Sequence, residues 1–283
     1  MKFIYILGNP RSGTSLFRLM LNAHPSLVAP PECGFIQWNY RSFANADFNQ
    51  ATVRESFAGA ILKSKKMETW GLSKQDLIET FDSVVSPNYQ NLCEAVFKSY
   101  ASLRLGKFYP KAAVDKNNYY IDYLEEIALA MPHATYIHLV RDVRDVAQSY
   151  LEIERTKHVG KYAPKLSATA EEIALEWAEN NEKIDSFLKN KVHLVVRYED
   201  LLVKKESELE RVSEFLCIPY HEKMLQYYEF NDEPAETISW KQKTLEPLDP
   251  SRVGAFRREL APDFNQKLWN LAESTLKKFG YSK

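Results

Sequence analysis

The stretch Gly8-Asn9-Pro10-Arg11-Ser12-Gly13-Thr14-Ser15 lies between a short apolar run and a helix-like one. A glycine-rich turn at that junction gathers successive backbone N–H groups and a helix N-terminus at one point, which suits a phosphate or another tetrahedral anion. The spacing approaches the ATP-type loop G-x-x-x-x-G-K-[ST]: Gly8, Gly13 and Ser15 fit, but Thr14 stands where the lysine belongs. Without the lysine that reaches the outer phosphates, the pattern points to a smaller, less charged ligand. Arg11, inside the loop, can supply the cation, and its planar fork can hold two oxygens. Taken alone, the loop also fits an ordinary Gly-Pro turn. A second stretch, VRDVRDVAQSY over residues 140–150, sets Arg141 eight residues before Ser149. If a strand end turns into a helix there, Ser149 lies about two turns along and both groups reach one phosphate. By itself this pair also fits a plain helix face.

These groups need elements to position them. Lys2–Leu7 is a β-rich apolar run ended by Gly8 and Pro10, and TSLFRLMLNAH after the loop has a helical pattern stopped by Pro25. Short apolar runs recur at Ala112–Val114, Thr135–Val140 and Val192–Val196, each beside helical pattern. Such alternation predicts an α/β fold: a P-loop-like, mostly parallel sheet with helices on both faces. Residues 36–110 are polar and aromatic, with Ser73 and Asp76 as a capping pair, and predict a helical cap inserted into one domain spanning 1–283. Amphipathic helices are expected over 168–189, with Ile173, Trp177, Ile184 and Phe187 or Leu188 inward, and over 262–279, with Phe264, Leu268, Leu271 and Leu276 inward.

Composition limits the partners. The 283 residues carry 37 basic and 38 acidic side chains, a formal charge of -1, so the broad attraction that nonspecific nucleic-acid binding requires is missing. Cys33, Cys93 and Cys217 are too few and too scattered for a disulfide framework or a zinc pattern, and Cys33 is expected as a buried small residue. The opening run KFIYIL is too short for a secretory signal, and no run reaches the roughly 18 apolar residues of a membrane span. A soluble, cytoplasmic protein is the expectation.

Three motifs occur in order, each after a strand: P-R-S-G-T-S (residues 10–15), R-D-x-R-D-x-x-x-S (141–149) and R-Y-E-D-L (197–201). The set resembles the sulfotransferases that use 3′-phosphoadenosine-5′-phosphosulfate (PAPS). SRVGAFRREL (251–260) and the final helix are similar to the C-terminal signature of bacterial members. The resemblance implies that Arg11, Ser12, Gly13, Thr14 and Ser15 grip the 5′-phosphosulfate, that Arg141 and Ser149 bind the 3′-phosphate, and that Tyr198 lies near the adenine. It implies no metal, which fits a loop without the Walker lysine.

Cytosolic small-molecule members have lysine where this chain has Arg11, and a histidine base where it reads VDKNNYY. RSGTSLFRLMLNAHPSLVAPPE is similar instead to tyrosylprotein sulfotransferases, whose glutamate base falls at Glu32 and whose catalytic lysine falls at Lys116. A carboxylate within reach of the acceptor hydroxyl can act as general base. Arg11 and Lys116, with Ser239 by alignment to a family serine, would stabilise the charge growing on the departing phosphate. Glu32 as a solvated loop acid and Lys116 as a strand-end cap are the structural alternatives. Trp240, Lys241 and Lys243 fit either a lid over the nucleotide or plain surface. The aromatic residues Phe35, Trp38, Tyr40, Phe43 and Phe48 fit stacking on a sugar or phenol, or core. The expected acceptor is a hydroxyl compound, with small molecules or glycans favoured and a peptide possible. Two rival readings remain: a kinase variant with Asp142 holding magnesium, and a PAPS-binding protein without catalysis.

Overall fold

The computed structural model describes the whole chain except Val159 and the side chain of Glu236. Five strands form one sheet: β1 (Lys2–Leu7), β2 (Leu27–Val28), β3 (Ala112–Lys116), β4 (Thr135–Val140) and β5 (His193–Arg197). Their order is β2-β3-β1-β4-β5, and every neighbouring pair is parallel. β2, only two residues long, was not foreseen; so short a strand carries no periodicity. β3 extends two residues beyond the apolar run, through Asp115 and Lys116. Asp115 is buried there because its carboxylate accepts the Tyr120 hydroxyl.

Both faces of the sheet are covered, as the continuous apolar runs require. Phe3, Tyr5 and Leu7 of β1 pack into one core and Ile4 and Ile6 into another, the period-2 alternation of a strand. The second core is roofed by α1 (Thr14–Ala23). The first holds the insertion helices α2 (Phe35–Phe43), α3 (Ala51–Lys63), α4 (Lys74–Asp82) and α5 (Tyr89–Leu105), followed by α6 (Leu124–Ala130). Ser73 caps α4 in a reciprocal box with Asp76, as their spacing predicted. Phe35 and Phe48 are core, whereas Trp38 packs against Tyr119 near the cleft described below.

α7 (Val143–Thr156) follows β4 directly, and α8 (Ala170–Leu188) packs along the same side of the sheet. α9 (Tyr198–Val203) and α10 (Lys205–Leu216) close the second core. α11 (Ala235–Ile238) and α12 (Phe256–Glu259) are single turns, and α13 (Pro262–Lys278) packs on α8 and α7. α13 departs from the expected face at one position. Leu271 is exposed, and Trp269, Ala272 and Thr275 join Leu268 and Leu276 inside. No helix among the described residues is long and apolar enough to cross a membrane.

β1 lies at the centre between β3 and β4: the chain runs from β1 to β2 and β3 on one side, then crosses from β3 to β4 and β5 on the other. The crevice beyond the carboxyl ends of such strands is where α/β sheets bind ligands. Here it receives the loop after β1, Lys116 from β3, Arg141 after β4 and Tyr198 after β5.

Candidate active site

These groups line a cleft of about 790 Å³. At one end lies the loop of residues 8–15. Gly13 has φ 93° and Arg11 φ 65°, both left-handed, and the latter is uncommon for a residue with a side chain. Gly13 must be glycine for a second reason: an added Cβ would lie 2.3 Å from Cδ2 of Tyr198. α1 opens at Gly13 with no side-chain cap and no acid in its first turn, and Thr14, Ser15 and Leu16 line the cleft. Its first amides therefore face the cleft, where an anion would complete them.

Arg11 Nε donates to Ser149 Oγ at 3.1 Å, and Arg141 Nη1 donates to the Arg11 carbonyl at 3.2 Å. The Arg141 guanidinium lies 4.4 Å from the centre of the Tyr198 ring. The loop, α7 and α9 thus meet at two guanidinium groups, with Arg141 Nε buried and without a partner among the described residues. Burial first, and then the neighbouring Arg141 charge, pull Arg11 down to about 10. Two cations this close, Arg141 buried and Arg11 half-buried, invite an anion. Ser12 is the exception among residues 10–15: it is fully buried and does not line the cleft.

The C-terminal segment reaches the same end. Asp145 of α7 accepts the backbone N–H groups of Gly254 at 2.8 Å and Phe256 at 3.0 Å. That anchor holds Ser251, Arg252 and Arg258 along the cleft wall. Sequence reasoning noted this segment but assigned these arginines no role.

Glu32 forms the other end. Trp70 Nε1 donates to the Pro31 carbonyl at 2.8 Å, fixing the approach to it. Glu32 Oε1 accepts the Asn118 N–H at 3.0 Å and Lys116 Nζ at 3.3 Å, while Oε2 accepts Lys66 Nζ at 2.5 Å. Burial by itself would raise this carboxyl, but Lys116, Lys66 and Lys241 hold it well below the usual carboxylate range. Burial lowers Lys116 to about 8, against the upward pull of Glu32. Glu32 is thus neither solvated nor loose. Lys66, on the cap between α3 and the turn over Met67–Trp70, was not foreseen because no motif surrounds it.

A strap over residues 231–245 covers the cleft between these ends. Its anchor is Arg18 of α1, which donates to Asp232 Oδ1 at 2.7 Å, Glu233 Oε1 at 2.8 Å and the Ala29 carbonyl at 2.7 Å. Lys241 Nζ lies 2.5 Å from the other oxygen of Glu233. Trp240 packs with Ile153 and Tyr162, so it is a covering residue rather than plain surface. Ser239 is exposed and turned out of the cleft, because the single turn of α11 directs Thr237, Trp240 and Lys241 inward instead. Asp142 caps α7: its carboxylate accepts the Arg144 N–H at 2.9 Å and is gripped by the Arg144 side chain at 2.7 Å. It lines a separate hollow of about 170 Å³ and not the large cleft, so the kinase reading has no metal ligand from it. Among the described residues no group of three or more His, Cys, Asp or Glu side chains is placed to hold a metal ion.

Comparison with known proteins gives consistent results. The sequence profile of the sulfotransferase family matches residues 4–222. Protein-tyrosine sulfotransferase A of Caenorhabditis elegans is 27% identical over 239 residues, covering 80% of this chain and 52% of its own length. This chain therefore spans about half of that relative. The sulfotransferase domain of the Synechococcus PCC 7002 olefin synthase superposes with a TM-score of 0.64 at 21% identity, covering 100% of this chain and 96% of that one. A mouse sulfotransferase solved in complex with PAP, 13% identical, gives a TM-score of 0.51 over 100% of this chain and 86% of its own. These structural likenesses speak for the fold. With more than half of its length matched by the family profile, the chain belongs to the sulfotransferase family and is a transferase enzyme.

Proposed function

We propose that the protein moves a sulfuryl group from PAPS to a hydroxyl acceptor by in-line transfer. One observation carries the reading: a paired Arg11–Arg141 anion seat at the N-terminus of α1 shares a cleft with a carboxylate fixed between two lysines. The mouse relative solved with PAP is consistent with this donor. The 5′-phosphosulfate would lie on the amides of Gly13 to Leu16 and on Arg11. The 3′-phosphate would take Arg141, Ser149 and the flanking Arg252 and Arg258, with the adenine beside Tyr198 and under Trp240.

In the transfer, the acceptor oxygen forms a bond to sulfur as the bond from sulfur to the bridging phosphate oxygen breaks. Glu32 takes the hydroxyl proton, and the electron pair leaving with the phosphate is met by Arg11, Lys116 and the amides of α1. With Ser239 turned outward, Lys241 is the strap residue that adds positive charge. We assign acceptor selection to the cap over residues 36–110, inserted into a single domain. Small-molecule or glycan hydroxyls are favoured. A tyrosine side chain is the second acceptor, supported by the likeness to the tyrosine-directed relative. The free thiols of Cys33, Cys93 and Cys217 fit a reducing, cytoplasmic setting.

The test is release of adenosine 3′,5′-bisphosphate from PAPS across a panel of hydroxyl acceptors, by wild type and by Glu32→Gln. Acceptor-dependent release that Glu32→Gln removes supports the reading; release unchanged in the variant overturns Glu32 as the base.

A further inference from the structure

The two oxygens of Glu32 are held differently. Oε1 is tied to Lys116, the last residue of β3, and to the backbone N–H of Asn118 in the turn that follows the strand. Oε2 is held by Lys66 alone, from a cap segment whose backbone at that residue is left-handed, with φ 71°. Lys66 is buried, yet its ammonium has two other surfaces within reach: its Nζ lies 5.9 Å from the ring centre of Tyr119 and 5.5 Å from that of Tyr162. A cation can rest on such faces when it leaves a carboxylate.

An acceptor hydroxyl deprotonated by Glu32 needs a free carboxylate oxygen, and Oε2 is the one not bound to the sheet. We propose that Lys66 is a positioning residue that fills the acceptor's place on Glu32 and withdraws when the acceptor enters, so that water does not take the sulfuryl group from a waiting donor. The inference rests on the reading of Glu32 as the base. The wasteful reaction it prevents is balanced: the water oxygen bonds to sulfur, the bond from sulfur to the bridging oxygen breaks, the electron pair stays on the 5′-phosphate, and Glu32 takes the proton. The products are adenosine 3′,5′-bisphosphate and sulfate.

The charged groups around Glu32 are Lys66 from the cap, Lys116 and Asp115 from β3, and Lys241 with Glu233 from the strap. Removing Lys66 leaves two lysines, so Glu32 stays ionised near neutrality but becomes a stronger base. Its protonation moves to higher pH, and the acid limb of any reaction it promotes moves with it.

The experiment is hydrolysis of PAPS alone, without acceptor, from about pH 5 to about pH 9. The variants are Lys66→Met, Lys66→Gln, Lys66→Arg, Glu32→Gln and the double variant Glu32→Gln/Lys66→Met, with calorimetric titration of adenosine 3′,5′-bisphosphate verifying that each is folded and loads donor. Lys66→Met and Lys66→Gln are expected to hydrolyse PAPS roughly tenfold faster than wild type or more, with the acid limb shifted upward. Lys66→Arg should restore slow hydrolysis, and the double variant should lose the gain. No gain in either neutral variant, with acceptor-dependent turnover by Glu32→Gln still slower than wild type, overturns the role of Lys66 and leaves the base standing. A gain that survives in the double variant overturns the base reading itself, and so does acceptor-dependent turnover by Glu32→Gln equal to that of wild type.

Discussion

Arg11 and Ser149, 138 residues apart in sequence, are joined by a hydrogen bond of 3.1 Å from Nε to Oγ. The bond ties the glycine-rich loop after β1 to the second turn of α7 and brings Arg141 against the back of the same loop. The proposed anion seat is therefore built by the loop and the β4–α7 junction together, and each can be tested separately.

Arg141→Ala is expected to weaken binding of adenosine 3′,5′-bisphosphate by about 2–5 kcal/mol, the cost of leaving a buried phosphate without its cation. Because the side chain is only 7% exposed, the variant should also be checked by circular dichroism. Unchanged calorimetric affinity in a folded variant would remove Arg141 from the donor site.

Gly13→Ala places a methyl group against the Tyr198 ring at a left-handed position. The backbone strain alone is about 1–3 kcal/mol, so the melting temperature should fall, and the displaced ring should lower donor affinity as well. Melting and affinity equal to wild type would mean that the loop and Tyr198 are not packed as described.

Glu233 gives a pH-dependent prediction. Burial would raise its carboxyl, but Lys241 and Arg18 hold it down to about 2, below the ordinary value of about 4.3. A depressed folded-state value stabilises the fold fully above the unfolded value and loses that contribution as pH falls toward the folded one. The melting temperature of the wild type should decline from about pH 4.3 toward about pH 2. Glu233→Gln should be less stable at neutral pH by about 3–5 kcal/mol, since it leaves buried Arg18 and Lys241 short of a partner. Its decline over the acid window should be shallower, and a variant curve parallel to wild type would contradict the assignment.

The parts of this site legible in the sequence are those that chain order alone puts together. A strand, a glycine turn and a helix are contiguous, so the seat formed by residues 8–15 follows from local pattern. Arg141 and Ser149 lie on one strand-to-helix junction, and their spacing carries over once the helix forms. Glu32 and Lys116 were reachable through family likeness, and the cleft holds them 3.3 Å apart. Lys66 was not legible, because its contact with Glu32 depends on how the cap folds back and no local pattern encodes that. Arg18 and Glu233 are 215 residues apart, and a lone arginine on an otherwise apolar helix gives no sign of its partner. Ser239 shows the limit of alignment through an irregular segment: one turn of α11 rotates it outward and Lys241 inward.

The central claim is that this cleft holds a 3′-phosphorylated adenine nucleotide. The most direct measurement is calorimetric titration of the wild-type protein with adenosine 3′,5′-bisphosphate and with ADP, each with and without magnesium. Stoichiometric binding of the bisphosphate that is stronger than that of ADP and indifferent to magnesium is the predicted result. Preference for ADP with magnesium, or no binding of the bisphosphate, would contradict the account.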